Sequence, residues 1–142
     1  MRFMLMVNAS ADSEAGKMPT MELIEAMGKF NEEMVQAGVL LAAEGLQATS
    51  KGAKVKFLPG EKPIVVDGPF TESKELIAGF WMIQVKSREE AIAWALKSPA
   101  PHGPDQFAEI QIRQVFDPSD FGEEVAGPEQ ALRDQIIKNQ SK

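Results

Sequence analysis

Asp67, Glu44 and His102 are the side chains of this 142-residue chain best placed by type and context to move a proton. Asp67 closes the apolar run Pro63-Ile64-Val65-Val66 and faces Gly68-Pro69. A carboxylate at a strand terminus beside a cleft acts as a general base if burial lifts its pKa toward neutrality. In the same position an Asp can instead accept from backbone N–H groups one or two residues on, which fixes a turn and does no chemistry. Glu44 interrupts the run Leu40-Leu41-Ala42-Ala43-Glu44-Gly45-Leu46. A charge there needs a partner or a water-filled pocket. Arg113 and Lys74 are the candidate partners, with a polar site as the equal alternative. If Glu44 and Asp67 converge, repulsion raises one pKa and supplies an acid and a base. His102 can shuttle protons near neutral pH, although Ala100-Pro101-His102-Gly103-Pro104 has the composition of a surface loop. Among binding residues, Trp81 could wall an apolar pocket or simply fill the core. Lys74 could hold an anionic ligand or form an exposed pair with Glu75, and Arg113 is a further cation for such a ligand.

Other chemistries lack the necessary residues. The chain has no cysteine, so disulfides, thiolate catalysis and cysteine metal sites are excluded. With one histidine besides, no transition-metal site is expected. There is no G-x-G-x-x-G, Walker-type loop, G-x-S-x-G elbow or H-x-x-x-H, so no cofactor is expected and any catalysis would be cofactor-free. Apolar content of 44% and charged content of 25% are ordinary for a soluble domain. A formal charge of −6 argues against nucleic acid or an anionic membrane as the main partner. No stretch approaches the length of a membrane-spanning helix, and the apolar opening Met1–Val7 is too short and wrongly flanked for a signal peptide. The expected location is the cytoplasm.

These side chains must be positioned by a small set of elements. Phe3–Val7 reads as a strand and Ala9–Lys17 as a loop. Leu23, Ile24, Met27, Phe30 and Met34 recur at helical spacing, so a helix runs from about Pro19 to Ala37 and is capped by Gly38. Val39–Leu46 reads as a second strand. Lys54–Leu58 and Pro63–Asp67, joined through Pro59-Gly60, read as a hairpin, and Thr71–Leu76 as a helical turn. Gly79–Val85 alternates as a strand, with Phe80, Met82 and Gln84 opposite Trp81, Ile83 and Val85. Ser87-x-x-Glu90 is a capping box that opens a second helix, which Pro99 and Pro101 stop. Glu109–Phe116 is a last strand, and Pro128 to about Lys138 a short helix. Residues 1–117 form the domain and 118–142 an appendage.

The order βαβ, hairpin, βαβ makes an α+β fold of ferredoxin-like type: an antiparallel sheet with both helices on one face. Two central strands are apolar on both sides, and two helices cover only one side. A large bare apolar face is uncommon on a soluble monomer. The second face therefore has to meet something, and the simplest candidate is the same face of a second copy, giving a homodimer. The alternative is that the hairpin and tail fold across it.

Asp67-Gly68-Pro69-Phe70, followed by Thr71-Glu72-Ser73-Lys74-Glu75 and Gly79-Phe80-Trp81, resembles the DGPF-domain branch of the YCII-related proteins. Glu44-Gly45-Leu46 and Glu109-Ile110-Gln111-Ile112-Arg113 are similar to that family's strand motifs. The resemblance covers roughly residues 1–117. It implies a dimeric α/β barrel built on a ferredoxin-like monomer, in a group of small, mostly uncharacterised, cytosolic bacterial proteins. Some members of the wider group carry a His–Asp pair in a pocket, which implies enzymatic activity. This chain lacks the early-strand histidine. Many DGPF members are encoded beside extracytoplasmic-function sigma factors, which implies a regulatory setting. Two functions follow as expectations. One is a protein that binds a small organic ligand in a pocket between the sheet and the inserted hairpin, with cofactor-free acid/base chemistry of isomerase or lyase type in which Asp67 is the base and Glu44 or His102 assists. The other is a non-catalytic regulatory or protein-interaction module in which Asp67 is structural.

Overall fold

β1 (Arg2–Asn8) and β5 (Ile77–Gln84) pair at the centre of a four-stranded sheet ordered β2-β5-β1-β6, in which β2 is Leu40–Gly45 and β6 is Ile110–Gln114. Every neighbouring pair is antiparallel. The computed structural model describes residues 1–71 and 75–140. Burial follows the pleat. Phe3, Leu5 and Val7 on β1, with Trp81 and Ile83 on β5 and Val85 just beyond it, are buried. Successive side chains of a strand point to opposite faces, so these residues share one face, and two helices cover it.

The first covering helix is α2 (Met21–Gln36), a turn after a four-residue α1 (Ala11–Glu14). Thr20 caps α2 by accepting from the Leu23 N–H at 3.2 Å, and the chain leaves it through Gly38 at φ 73°, a conformation that favours glycine. Phe30 and Met34, one turn apart, enter the core. The second is α3 (Arg88–Leu96), which buries Ala91. Ser87 accepts from Glu90 N–H as expected, but the Glu90 carboxylate reaches the Lys86 N–H at 2.9 Å. Leu5, Met34 and Ile83 are essentially inaccessible. Each such side chain contributes about 1.5–3 kcal/mol by leaving water.

Met4, Met6, Phe80 and Met82 alternate to the other face and are only half-buried. The α+β antiparallel architecture expected from sequence is present. A single chain does not close a barrel, because β2 and β6 remain edges. Among the described residues, no helix is long and apolar enough to cross a membrane.

β3 (Ala53–Lys56) and β4 (Ile64–Asp67) form the expected hairpin, a separate two-stranded sheet. Two segments differ from the sequence reading. The Ala9–Lys17 loop contains α1, because Ser10 and Ser13 satisfy each other's backbone N–H groups at 3.1 and 2.8 Å. The tail helix α4 spans Glu123–Gln140 and runs through Pro128. Pro128 is the sixth residue of this helix, so it forgoes the bond to the Glu124 carbonyl and crowds that carbonyl, while Glu123 and Glu124 in the first turn oppose the helix dipole favourably. The expected turn at Thr71–Leu76 falls partly outside the described residues.

Between β6 and α4 lies a 3-10 turn, Pro118–Phe121, capped by Asp117. The Asp117 carboxylate accepts from the Ser119 hydroxyl at 2.7 Å and from its N–H at 3.0 Å. These bonds hold its pKa below the ordinary 3.8, with attraction to Arg2 and Arg133 adding to them. A carboxylate with a depressed folded-state pKa contributes stability that is present above its unfolded value and lost as pH falls through the folded one. An NMR titration should therefore show the Asp117 carboxyl and the Ser119 amide moving together, with a midpoint below that of free aspartate. Asp117→Asn should remove the step from the Ser119 amide. A Ser119 titration unchanged in that variant would refute the capping account.

Candidate functional site

A cleft of about 1100 Å³ opens at one end of the sheet. Its floor comes from β5 at Ala78–Trp81 and from Ala43 on β2. One wall is α1, the Ala15–Thr20 connection and the inner residues Leu23, Met27 and Asn31 of α2. The facing walls are the segment Glu44–Lys51 and the loop Pro101–Gln106; the β3–β4 hairpin, expected to border the pocket, does not line it. A volume of this size suits a small organic molecule.

Trp81 serves both core and cleft. Its ring meets Phe30 edge-on, with centroids 5.6 Å apart and planes at 89°, a favoured aromatic geometry. Its indole N–H donates to Asn31 Oδ1 at 2.7 Å. Glu44 pairs with Phe80 in the β2–β5 register, so it points away from the helices and borders the cleft at the exposed β2 edge. Gly79, beside this pair, admits β2 closely: a Cβ there would stand 2.9 Å from the Glu44 carbonyl oxygen.

His102 lines the cleft half-buried, and its Nε2 lies 2.6 Å from the Asn8 carbonyl oxygen. A carbonyl only accepts, so Nε2 carries the hydrogen, and in the neutral ring Nδ1 keeps its lone pair. Asn8 also anchors the neighbouring strand, since its Oδ1 accepts from Glu109 N–H at 2.7 Å.

Two carboxylates tether α1 across the cleft. Asp12 accepts from the Gln106 side-chain amide at 2.9 Å, which joins α1 to the His102 loop. Glu14 accepts from both the N–H and the hydroxyl of Thr49, on the opposite wall. Thr49 Oγ1 in turn accepts from Phe70 N–H at 3.0 Å. The Asp67-Gly68-Pro69-Phe70 segment thus packs onto the Thr49 turn. Gly68 N–H donates to Gly52 C=O at 2.9 Å, the Gly68–Pro69 peptide is cis, and the Lys54 ammonium lies 4.2 Å from the Phe70 ring centroid.

The structure brings His102, Glu44 and Trp81 to one cleft and leaves Asp67 outside it, exposed opposite Ala53 at the root of the hairpin. Glu44 and Asp67 do not converge there. The expected option of a Glu44–Arg113 bridge is not formed. Arg113 is exposed on β6, and β5 and β1 separate that strand from β2, a gap of about 14 Å at normal strand spacing. Lys74, the other candidate partner and ligand cation, lies outside the described residues. Sequence reasoning missed Asn8, Glu14, Asn31 and Thr49. Their contacts span long sequence separations, and periodicity carries no trace of such pairs.

The fold and cleft together define a small α+β protein with a ligand-sized opening at the end of an antiparallel sheet, bordered by one imidazole and several carboxylates. The chain belongs to the YCII-related family, whose domain model matches residues 1–116. It is similar to an uncharacterised protein of Rhizobium meliloti (strain 1021), at 36% identity over 69 residues, which is 49% of this chain and 55% of that protein. The chain therefore spans about half the length of that curated relative.

Proposed function

We propose that this protein is a ferredoxin-like homodimer of the DGPF branch that binds a small organic ligand in the cleft and exchanges a proton with it through His102, without a cofactor. The observation that carries this reading is the single volume that Trp81 and His102 both line, with Glu44 only at its β2 edge. Trp81 supplies an apolar wall for the body of the ligand. His102 supplies a base whose tautomer is set by the Asn8 carbonyl. Acid/base chemistry of isomerase or lyase type needs little more than a positioned base and an apolar site that excludes water. Asp67, exposed and away from the cleft, takes no part in the chemistry in this reading. The half-buried methionines and Phe80 on the uncovered sheet face support pairing of two copies through that face, with the protein acting in the cytoplasm.

A fragment screen by NMR tests the binding site. Binders should cluster by shift perturbation on the Trp81 indole and the His102 ring. Fragments that bind only elsewhere, or none binding at all, would favour the protein-interaction role. The tautomer can be checked separately. In the neutral ring, ¹⁵N spectra should show His102 as the Nε2–H form. A ring populated mainly as Nδ1–H would remove the base assignment.

A further inference from the structure

We propose that Asn31 recognises the ligand by donating from Nδ2 to a carbonyl oxygen, and that the cleft takes a neutral carbonyl compound with an apolar body. The inference rests on the cleft reading above and adds the chemical class of the ligand.

The Asn31 amide has a fixed orientation. An indole N–H only donates, so the atom 2.7 Å from Trp81 Nε1 is the amide oxygen, Oδ1. Nδ2 has no partner among the described residues, and it is not sealed from solvent. Asn31 is half-buried and lines the cleft, so its two N–H groups are open to whatever enters. Hydrogen bonds in a chain polarise one another. The hydrogen that Oδ1 accepts makes Nδ2 a better donor.

Trp81 by itself does not account for an asparagine. Any acceptor satisfies an indole N–H, a carboxylate or a hydroxyl included. What a carboxamide adds is a pair of donors on the same planar group. Asn31 follows Met27 by one turn of α2 and Leu23 by two, and these two supply the apolar part of that wall. The donors therefore end an apolar strip beside the Trp81 ring.

The other inner polar groups are committed or of the opposite kind. Ser10 and Ser13 bond each other's backbone, and the Asp12 carboxylate accepts from the Gln106 amide. His102 donates from Nε2 and keeps an acceptor at Nδ1. Charge decides against an anionic ligand. Among the described lining residues the lysines are Lys17 and Lys51, and both are exposed. A carboxylate at the inner wall would lose its hydration without a counter-charge beside it. A carbonyl oxygen needs only the hydrogen bond that Asn31 offers.

The probes are acetophenone, ethylbenzene and benzoate, which share a phenyl body and differ in the oxygen they carry. NMR titration of the ¹⁵N-labelled full chain is expected to show acetophenone binding about threefold to tenfold more tightly than ethylbenzene. The Asn31 side-chain N–H signals should shift with acetophenone and not with ethylbenzene. Asn31→Asp keeps an acceptor for Trp81 and removes the donors. It should melt like the wild type, keep the Trp81 indole N–H bonded, and bind the two probes equally. A preference for acetophenone that survives in Asn31→Asp would overturn the inference. So would wild-type Asn31 side-chain signals that stay fixed while acetophenone shifts Trp81, a result that needs no variant to fold. Benzoate binding more tightly than acetophenone would overturn the choice of a neutral ligand. Ethylbenzene matching acetophenone in the wild type removes the inference and leaves the cleft reading standing. If no probe shifts Trp81 or His102, both fall.

Discussion

Gly68→Ala is expected to lower the melting temperature by about 5–10 °C, an effect unlike that of alanine at Gly52, its partner across the root of the hairpin. The reason is steric. A Cβ on Gly68 would stand 1.7 Å from the Thr49 carbonyl oxygen and 2.6 Å from its carbonyl carbon. Both are backbone atoms, and the Thr49 turn cannot yield freely because Glu14 and Phe70 hold it from two sides. Forcing the two backbones apart should cost about 2–3 kcal/mol. At Gly52 the nearest atom to a Cβ is 3.6 Å away, an ordinary contact. Gly52→Ala should therefore be neutral, or stabilising by about 0.4–1 kcal/mol through the unfolded chain. Calorimetry of the two variants measures the difference. Hydrogen exchange over residues 53–67 shows whether the loss begins as detachment of the hairpin. Equal melting temperatures and equal hairpin protection in both variants would mean that Gly68 does not clamp the hairpin.

That contrast marks what could be read from the residues and what could not. The central strands, both covering helices and the hairpin were legible because each carries its own period or turn chemistry. Phe3–Val7 is an unbroken apolar run of strand length, Phe30 and Met34 stand one helical turn apart, and Pro59-Gly60 punctuates the hairpin. Asp67-Gly68-Pro69-Phe70 was legible as a motif, but its most reactive residue drew the interpretation. The structure gives Gly68 and Phe70 the contacts that bind the segment to Thr49, while the Asp67 side chain stays exposed. The reason is general. A carboxylate advertises chemistry in a sequence, whereas a glycine's missing Cβ matters only once the opposing backbone is known. The cleft follows the same logic. Trp81 and His102 were visible by type, but Asn31 and Asn8, which orient them, lie 50 and 94 residues away. Only the folded sheet brings those segments together. Pro128 misled for the opposite reason: its local rule as a helix start is strong, yet α4 begins five residues earlier and runs through it.

Trp81→Ala should be the most damaging single change in the cleft, costing about 3–5 kcal/mol of stability. It removes a buried ring that packs edge-on against Phe30 and leaves a void beside Ile83 and Met34 in the same cluster. Trp81→Phe separates packing from hydrogen bonding. It keeps most of the apolar wall but leaves Asn31 Oδ1 without its donor, a loss of about 1–2 kcal/mol for a group near the cleft that water can partly re-solvate. Asn31→Ala in the Trp81→Phe background should then cost less than in the wild type, because contacting residues are not additive. Binding should divide differently from stability. Fragments that perturb the Trp81 indole should lose roughly tenfold or more in affinity in Trp81→Ala, yet bind Trp81→Phe nearly as well as wild type, since the phenyl ring still closes the wall. If affinity instead falls equally in both variants, the indole N–H rather than the ring face meets the ligand. The Asn31 bond would then have to open on binding, and Asn31→Ala alone should tighten the same fragments.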